Sequence, residues 1–255
     1  MKSESNALTL SPLPGIGEIL PGTELATVLC AAIAQAGIEL MSHDVLVVAQ
    51  KVVSKAENRF IDLADVQASP RARELAAVTH KDARLIELVL SESTEVVRAR
   101  PDVLIVRHRL GFVMANAGID RSNVGGIDRV LLLPHDPEGS ASALRAAIAT
   151  RLDVKIGLII SDSFGRPWRK GVTNVALAAA GLPALIDRRG EIDRHGRKLE
   201  VTEVAFADLI ASAAGLVMGE GAEGRPAVLV RGLSWSAPDV PASSLLRPLQ
   251  EDLFR

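Results

Sequence analysis

The chain has 255 residues, 48% of them hydrophobic and 24% charged, with a formal net charge of −2. That length carries a sizeable core, and the near-neutral charge excludes a global attraction to nucleic acid or an anionic membrane, so any anion site must be local. The single cysteine, Cys30, excludes an internal disulfide and a cysteine-built zinc cluster, and 3% aromatic content without tyrosine argues against base-stacking platforms.

The amino-terminal Met-Lys-Ser-Glu-Ser-Asn has no apolar signal core behind it, and no uninterrupted apolar run is long enough to span a bilayer. The expectation is a cytoplasmic protein with no membrane or nucleic-acid partner. Leu8 to Leu13 reads as an opening strand, followed by the glycine-containing loop Pro14 to Ile19, which suits either a plain turn or a close backbone approach to a ligand. Thr23 is expected to cap an alanine-rich helix that reaches Ala36 and stops at Gly37, with Cys30 in its apolar core. Val45 to Val48 reads as a buried strand. Next comes Gln50-Lys-Val-Val-Ser-Lys55, whose lysines share one face if the segment is helical. Both could then reach one anion, although spacing alone favours a solvated face.

Pro70 to His80 and Asp82 to Leu90 read as charged helices, and Val103 to Arg107 with Phe112 to Ala115 as a hairpin around Leu110-Gly111. The loop from Asn116 to Asp128 crowds Asp120, Ser122, Asn123 and Asp128, many oxygens in a segment that also suits purely local Asx hydrogen bonding. A short strand ends at Leu131 to Pro134, and Ser140 to Leu152 is an amphipathic helix. Val154 to Ile160 reads as a strand that delivers Ser161-Asp162-Ser163, with the chain turning at Phe164-Gly165-Arg166-Pro167. An acid and hydroxyls at a strand end, followed by Arg166, Arg169 and Lys170, suit a hard cation and a polyphosphate; a solvated polar turn is the alternative.

Val172 to Gly181 is small and apolar, and Ile186 to Gly196 reads as a polar hairpin bending at Gly190 and Gly196. Thr202 is expected to cap a helix to Val217. The acidic, glycine-rich loop Met218 to Pro226 leads to a strand at Ala227 to Val230, and the tail from Trp235 is expected to be peripheral. No His-Glu-x-x-His, Walker P-loop or Gly-x-Ser-x-Gly elbow occurs.

The loops Pro14 to Ile19, Gln50 to Lys55, Asn116-Ala-Gly-Ile-Asp120-x-Ser-Asn123, Asp162-Ser-Phe-Gly-Arg-Pro-Trp-Arg-x-Gly171 and Met218-Gly-Glu220-x-x-Glu-Gly-x-Pro226 stand in one familiar order. From about residue 8 to about 245 the chain resembles the coenzyme F420-0:L-glutamate ligase (F420 γ-glutamyl ligase) family. The resemblance implies a mixed α/β fold of mixed sheets with flanking helices, one catalytic unit over 1–255 built either as a whole or as two intertwined subdomains, and an intertwined homodimer. It implies a GTP-dependent ligase that joins L-glutamate to the lactyl carboxylate of a deazaflavin through an acyl phosphate, with further γ-linked glutamates in some members.

By motif matching, Asp120 and Asp162 correspond to ligands of one divalent metal, magnesium or manganese, and Ser163 with Glu220 to ligands of a second. Ile16, Gly17, Glu18, Ile19, Gln50, Lys51, Lys55 and Asn123 correspond to GTP contacts. So does the loop Met218, Gly219, Glu220, Gly221, Ala222, Glu223, Gly224 and Arg225. No general base is assigned. Gly17 stands where the family often has proline, and Ser163 and Glu220 where threonine and glutamine are commoner. The chemistry fits this inventory, because phosphoryl transfer is mostly positioning and charge neutralisation. Two other classes stay open: a metal-dependent nucleotide hydrolase using Asp120, Asp162 and Glu220, and a non-catalytic GTP- or deazaflavin-binding protein.

Overall fold

The computed structural model describes residues 7–252. The first third contains β1 (Thr9–Pro12), α1 (Leu25–Gln35), β2 (Val45–Ala49), α2 (Gln50–Ala56), β3 (Phe60–Asp62), α3 (Pro70–Thr79) and α4 (Ala83–Ser91). Then follow β4 (Ser93–Arg100), β5 (Val103–His108), β6 (Val113–Ala115), β7 (Arg129–Leu131) and α5 (Pro137–Leu152). The last third holds β8 (Gly157–Arg166), β9 (Arg169–Ala180), β10 (Ile186–Asp187), β11 (Glu203–Val204), α6 (Phe206–Met218) and β12 (Ala227–Arg231). No helix among the described residues is long and apolar enough to cross a membrane.

The run Val45 to Val48 has no solvent exposure because its sheet is covered on both faces. That five-stranded sheet has the order β1-β12-β2-β8-β9, with β2 and β8 parallel and the other pairs antiparallel. On one face Leu46, Val48, Leu158 and Ile160 pack under α1 and α5. On the other, Val45, Val47 and Ile159 pack under α6. Burying each of these aliphatic side chains is worth roughly 1.5–3 kcal/mol, so the central strands anchor the whole assembly. Beside it, α3 and α4 cover the sheet β4-β5-β6, and β3 pairs with β7. The expected mixed α/β class with flanking helices is the one observed.

Several boundaries differ from the sequence reading. α1 is capped by Glu24, whose carboxylate accepts from Thr27 N at 2.8 Å, while Thr23 Oγ1 accepts from Leu20 N instead. α6 begins at Phe206 with no side-chain cap, because Thr202 precedes the strand β11. The expected turn at Phe164 to Pro167 is not a turn: β8 continues to Arg166, pairing Phe164 with Thr173 and Gly165 with Val172. Cross-strand hydrogen bonding to β9 holds Gly165 extended, and the bend falls on Pro167-Trp168. β4 escaped notice because its burial alternates poorly along a mostly polar strand. The tail is not peripheral: Trp235 meets His43 and Phe206 edge-on, at 4.7 and 5.9 Å between ring centroids, and Ala242 is buried under α6.

A buried charge network ties the sheet β4-β5-β6 to the segment that enters β3. Glu92, just after α4, meets Arg59 at 3.2 Å and Arg109 at 3.0 Å, with His108 Nε2 at 3.4 Å. Leu110 N donates to His108 Nδ1, so the neutral ring carries its proton on Nε2, facing the carboxylate. Burial pushes the Glu92 carboxyl up, but His108, Arg109 and Arg59 outweigh it and hold it at about 2. A folded-state value below the unfolded one adds stability that is complete above the unfolded pKa and is lost as pH falls towards about 2. The contribution is on the order of 3 kcal/mol. Glu92→Gln is therefore expected to lower the urea midpoint strongly at pH 6 and to differ much less from wild type at pH 3. Equal deficits at both pH values would remove the carboxylate from the explanation.

Candidate active site

The C-terminal ends of the parallel strands β2 and β8 open into a cleft of about 590 Å³. In sheets of this kind ligands bind beyond the carboxyl ends of parallel strands, where the chains diverge. β2 runs directly into α2, which places Gln50, Lys51 and Lys55 on the cleft wall. The helix therefore presents both lysines to the cleft, and the solvated face favoured by spacing alone is not what forms: Lys55 is buried. Lys55 pairs with Glu18 of the loop after β1, and Lys51 lies 3.2 Å from Asp120 and donates to Ser122.

Asp120 is held by its backbone, which exchanges both hydrogen bonds with Leu131 at 2.9 Å. Just before it, Asn116, Ala117 and Gly118 all have left-handed φ, of 50°, 53° and 66°. For the buried Ala117 that conformation is unfavourable by roughly 1–2 kcal/mol, a cost that packing against α3, α4 and β5 must offset. The Asp120 carboxylate accepts from Gln50 Nε2 at 2.6 Å, and Ser54 Oγ fixes Gln50 in turn at 2.8 Å. Across the cleft Asn123 Nδ2 donates to Gly221 O at 3.3 Å, and Gly221 N donates to Glu223 at 2.8 Å, so the Asn116–Asp128 and Met218–Pro226 loops close on each other.

Asp162 comes from β8. Burial first, then the Asp120 charge and more weakly Glu220, push its carboxyl up to about 7, against the opposing pull of Ser163 N and Lys51. Asp120 is raised by burial as well, with Lys51 and Gln50 opposing. Ser161 Oγ, beside it in sequence, is buried without a hydrogen-bond partner.

Every residue matched to a metal or nucleotide role lines this one cleft: Ile16 to Ile19, Gln50, Lys51, Lys55, Asp120, Asn123, Asp162, Ser163 and the loop from Met218 to Arg225. Arg166, Arg169 and Lys170 do not. They project from the exposed β8–β9 turn, where Arg166 donates to Lys170 O at 3.3 Å, because β8 carries them past the cleft. The cleft also takes in Ser161 and Asn174, which no motif flagged. Asn174 left one weak signal, an amide among the small and β-branched residues from Gly171 to Ala176.

A profile of the family described as F420-0:Gamma-glutamyl ligase matches residues 15–232. The chain belongs to that family. Relatives named Coenzyme F420:L-glutamate ligase include one from Methanopyrus kandleri, 43% identical over 97% of this chain and 98% of its own. Another, from Methanothermobacter thermautotrophicus, is 41% identical over 97% and 99%, and one from Archaeoglobus fulgidus is 41% identical over 96% and 95%.

Family membership gives the charge distribution a purpose to be tested against. Among the described residues no three His, Cys, Asp or Glu side chains stand together as a ready metal cage. The donor chemistry nevertheless fits a hard divalent cation: Asp120, Asp162, Ser163 and Glu220 supply only oxygen, and the acids repel one another. Because Asp162 titrates higher in the folded chain than in the unfolded one, its ionised form opposes folding above about pH 7, and the penalty disappears below the ordinary carboxylate range. Asp162→Asn is expected to raise the melting temperature of metal-free protein at pH 8, by about 2–4 °C per kcal/mol of repulsion removed. Mn²⁺ is expected to stabilise wild type further and to leave the same variant unchanged. A melting temperature lowered at pH 8 would make Asp162 a structural acid.

Proposed function

We propose that this protein is a GTP-dependent, divalent-metal ligase that forms an amide between L-glutamate and the lactyl carboxylate of a deazaflavin of the F420-0 type, with further γ-linked glutamates possible. The observation that carries the reading is that all five motif segments reach one cleft, whose lining holds two lysines, Lys51 and Lys55, and five carboxylates, Glu18, Asp120, Asp162, Glu220 and Glu223. The curated relatives' name, Coenzyme F420:L-glutamate ligase, supports the same substrates.

A carboxylate and an amine do not condense at neutral pH, so the acid must first become an electrophile. In this reading a lactyl carboxylate oxygen attacks the γ-phosphorus of GTP, the bond to the β–γ bridging oxygen breaks, and GDP leaves. The glutamate amine then attacks the acyl carbon, the carbon–oxygen bond to phosphate breaks, inorganic phosphate leaves, and the nitrogen gives up a proton. Divalent cations held by Asp120 and Asp162, and by Ser163 and Glu220, would neutralise phosphate charge and polarise the phosphoryl group.

The chain's own side chains have separable tasks. Lys51 and Lys55 exchange their carboxylate partners for phosphate oxygens, a charge-for-charge substitution that spares each ammonium group an unpaired state in the cleft. Gln50 keeps Asp120 oriented while Lys51 changes partner. The Asn123–Gly221 contact joins the two loops that would close over the nucleotide. A homodimer in a cytoplasmic setting belongs to this reading, supported by the family resemblance.

The decisive assay is incubation with GTP, Mn²⁺ or Mg²⁺, L-glutamate and the deazaflavin acceptor, with mass analysis of the products. The expected result is an acceptor carrying added glutamyl residues, with GDP and phosphate formed in step. Phosphate release that needs neither glutamate nor acceptor would make the protein a nucleotide hydrolase, and binding without turnover would make it a binding protein.

A further inference from the structure

The β8–β9 hairpin divides the cleft into two chemically different walls. Its register pairs Ser161 with Ala176, Asp162 with Val175 and Ser163 with Asn174. Alternation therefore puts Asp162 on one face and Ser161, Ser163 and Asn174 on the other. A bulge makes this possible. Pairing jumps from Ile160–Ala178 to Ser161–Ala176, leaving Leu177 unpaired, and Ala176 joins the core beneath α6 while Ala178 faces α1 and α5. Lys51 and Asp120 act on Asp162 from its own side, whereas Ser161, Ser163 and Asn174 share the face turned towards α6, short of the charged Met218–Arg225 loop.

Asn174 is held with unusual care for a residue with no assigned task. Its carbonyl accepts from Ser212 Oγ at 2.8 Å, and that hydroxyl lies 2.9 Å from Thr173 Oγ1. Its side-chain amide rests on Gly215 in the last turn of α6, where a Cβ would stand 2.0 Å from Asn174 Oδ1. Glycine there costs the helix about 1 kcal/mol relative to alanine, in a segment where small residues are already abundant. No hydrogen bond among the described residues uses the Asn174 amide, although the residue lines the cleft. The amide is thus fixed in place, with its oxygen seated on α6 and its NH2 without a partner among the described residues.

We infer that this neutral wall seats the amino-acid co-substrate, with Asn174 contacting its charged backbone groups and Gly215 acting as a positioning residue. The inference rests on the ligase reading. An amino-acid zwitterion offers a carboxylate to accept and an ammonium to donate; the Asn174 NH2 answers the first, and the unpartnered Ser161 hydroxyl on the same face answers the second. A polyphosphate needs cationic side chains, and Lys51, paired with Asp120, stands on the side of Asp162. The two reactants that must meet are thereby kept on separate sides of one hairpin.

The test compares wild type with Asn174→Ala, Asn174→Asp, Gly215→Ala and the Asn174→Ala/Gly215→Ala double variant. Steady-state KM is read for L-glutamate and for GTP, alongside melting temperature and calorimetric binding of L-glutamate to nucleotide-loaded protein. Asn174→Ala should raise the glutamate KM and weaken glutamate binding about tenfold or more, leaving the GTP KM nearly unchanged. Asn174→Asp should be worse, through repulsion of the carboxylate. Gly215→Ala should reproduce the Asn174→Ala effect, and in the double variant the alanine at 215 should add no further loss and recover helix stability. An unchanged glutamate KM, or a GTP KM raised equally, overturns the assignment to the amino acid. Additive losses in the double variant overturn the role of Gly215. Should Asn174→Ala fail to fold, Gly215→Ala and Asn174→Asp carry the same comparison. A wild type that binds L-glutamate but forms no amide sinks the ligase reading alone, whereas a working ligase indifferent to Asn174 sinks this inference alone.

Discussion

Repulsion among acids at the ends of two parallel strands is the constraint on which the structure depends. Asp162 is driven to about 7 by burial and by the neighbouring charges of Asp120 and Glu220, in a fold whose other carboxylates mostly have cations or backbone donors beside them. A chain selected only for stability would replace one of these acids with an amide or an alanine. In the function proposed here the acids await a cationic ligand and the lysines beside them an anionic one. A metal–polyphosphate complex would meet both needs together.

The rest of the architecture holds that arrangement in register. The fully buried β2 and β8 give the cleft a stiff floor, and the immediate passage from β2 into α2 fixes the lysines relative to Asp162. Asp120 arrives from the neighbouring layer, through the left-handed Asn116–Gly118 segment and a backbone bridge to Leu131. That layer is tied in by Glu92, whose partners Arg59, His108 and Arg109 come from different parts of the chain. Strain near the site and the charge network farther off are two ends of one support.

The sequence carried most of the strands and helices, because the central strands are continuous apolar runs and several helices announce their ends. Ser69-Pro70 and Asp136-Pro137 are clear starts, with side chains accepting from Ala72 N and Gly139 N. The cleft was legible through the glycine-rich and Asx-rich loops, from which Ile16 to Ile19, Asp120, Ser122, Asn123 and Met218 to Pro226 reach it, whereas Asp128 lies 3.7 Å from Arg84 instead. What stayed hidden depends on pairing across the fold. Gly165 and Pro167 look like a break until β9 lies alongside. Lys51 and Lys55 look solvated until Asp120 and Glu18 arrive from distant loops. Asn174 carries no motif at all, and its setting appears only when Gly215 of α6 is laid against it.

The most direct test of this account is the titration of the Asp162 side chain, followed by carboxyl-carbon NMR in aspartate-labelled protein and assigned against Asp162→Asn. In metal-free protein the account predicts a midpoint near 7. With saturating Mg²⁺ and GTP that titration should move well below the neutral range, because the bound cation holds the carboxylate ionised. A metal-free midpoint at the ordinary value of about 3.9, unmoved by ligand, would contradict it.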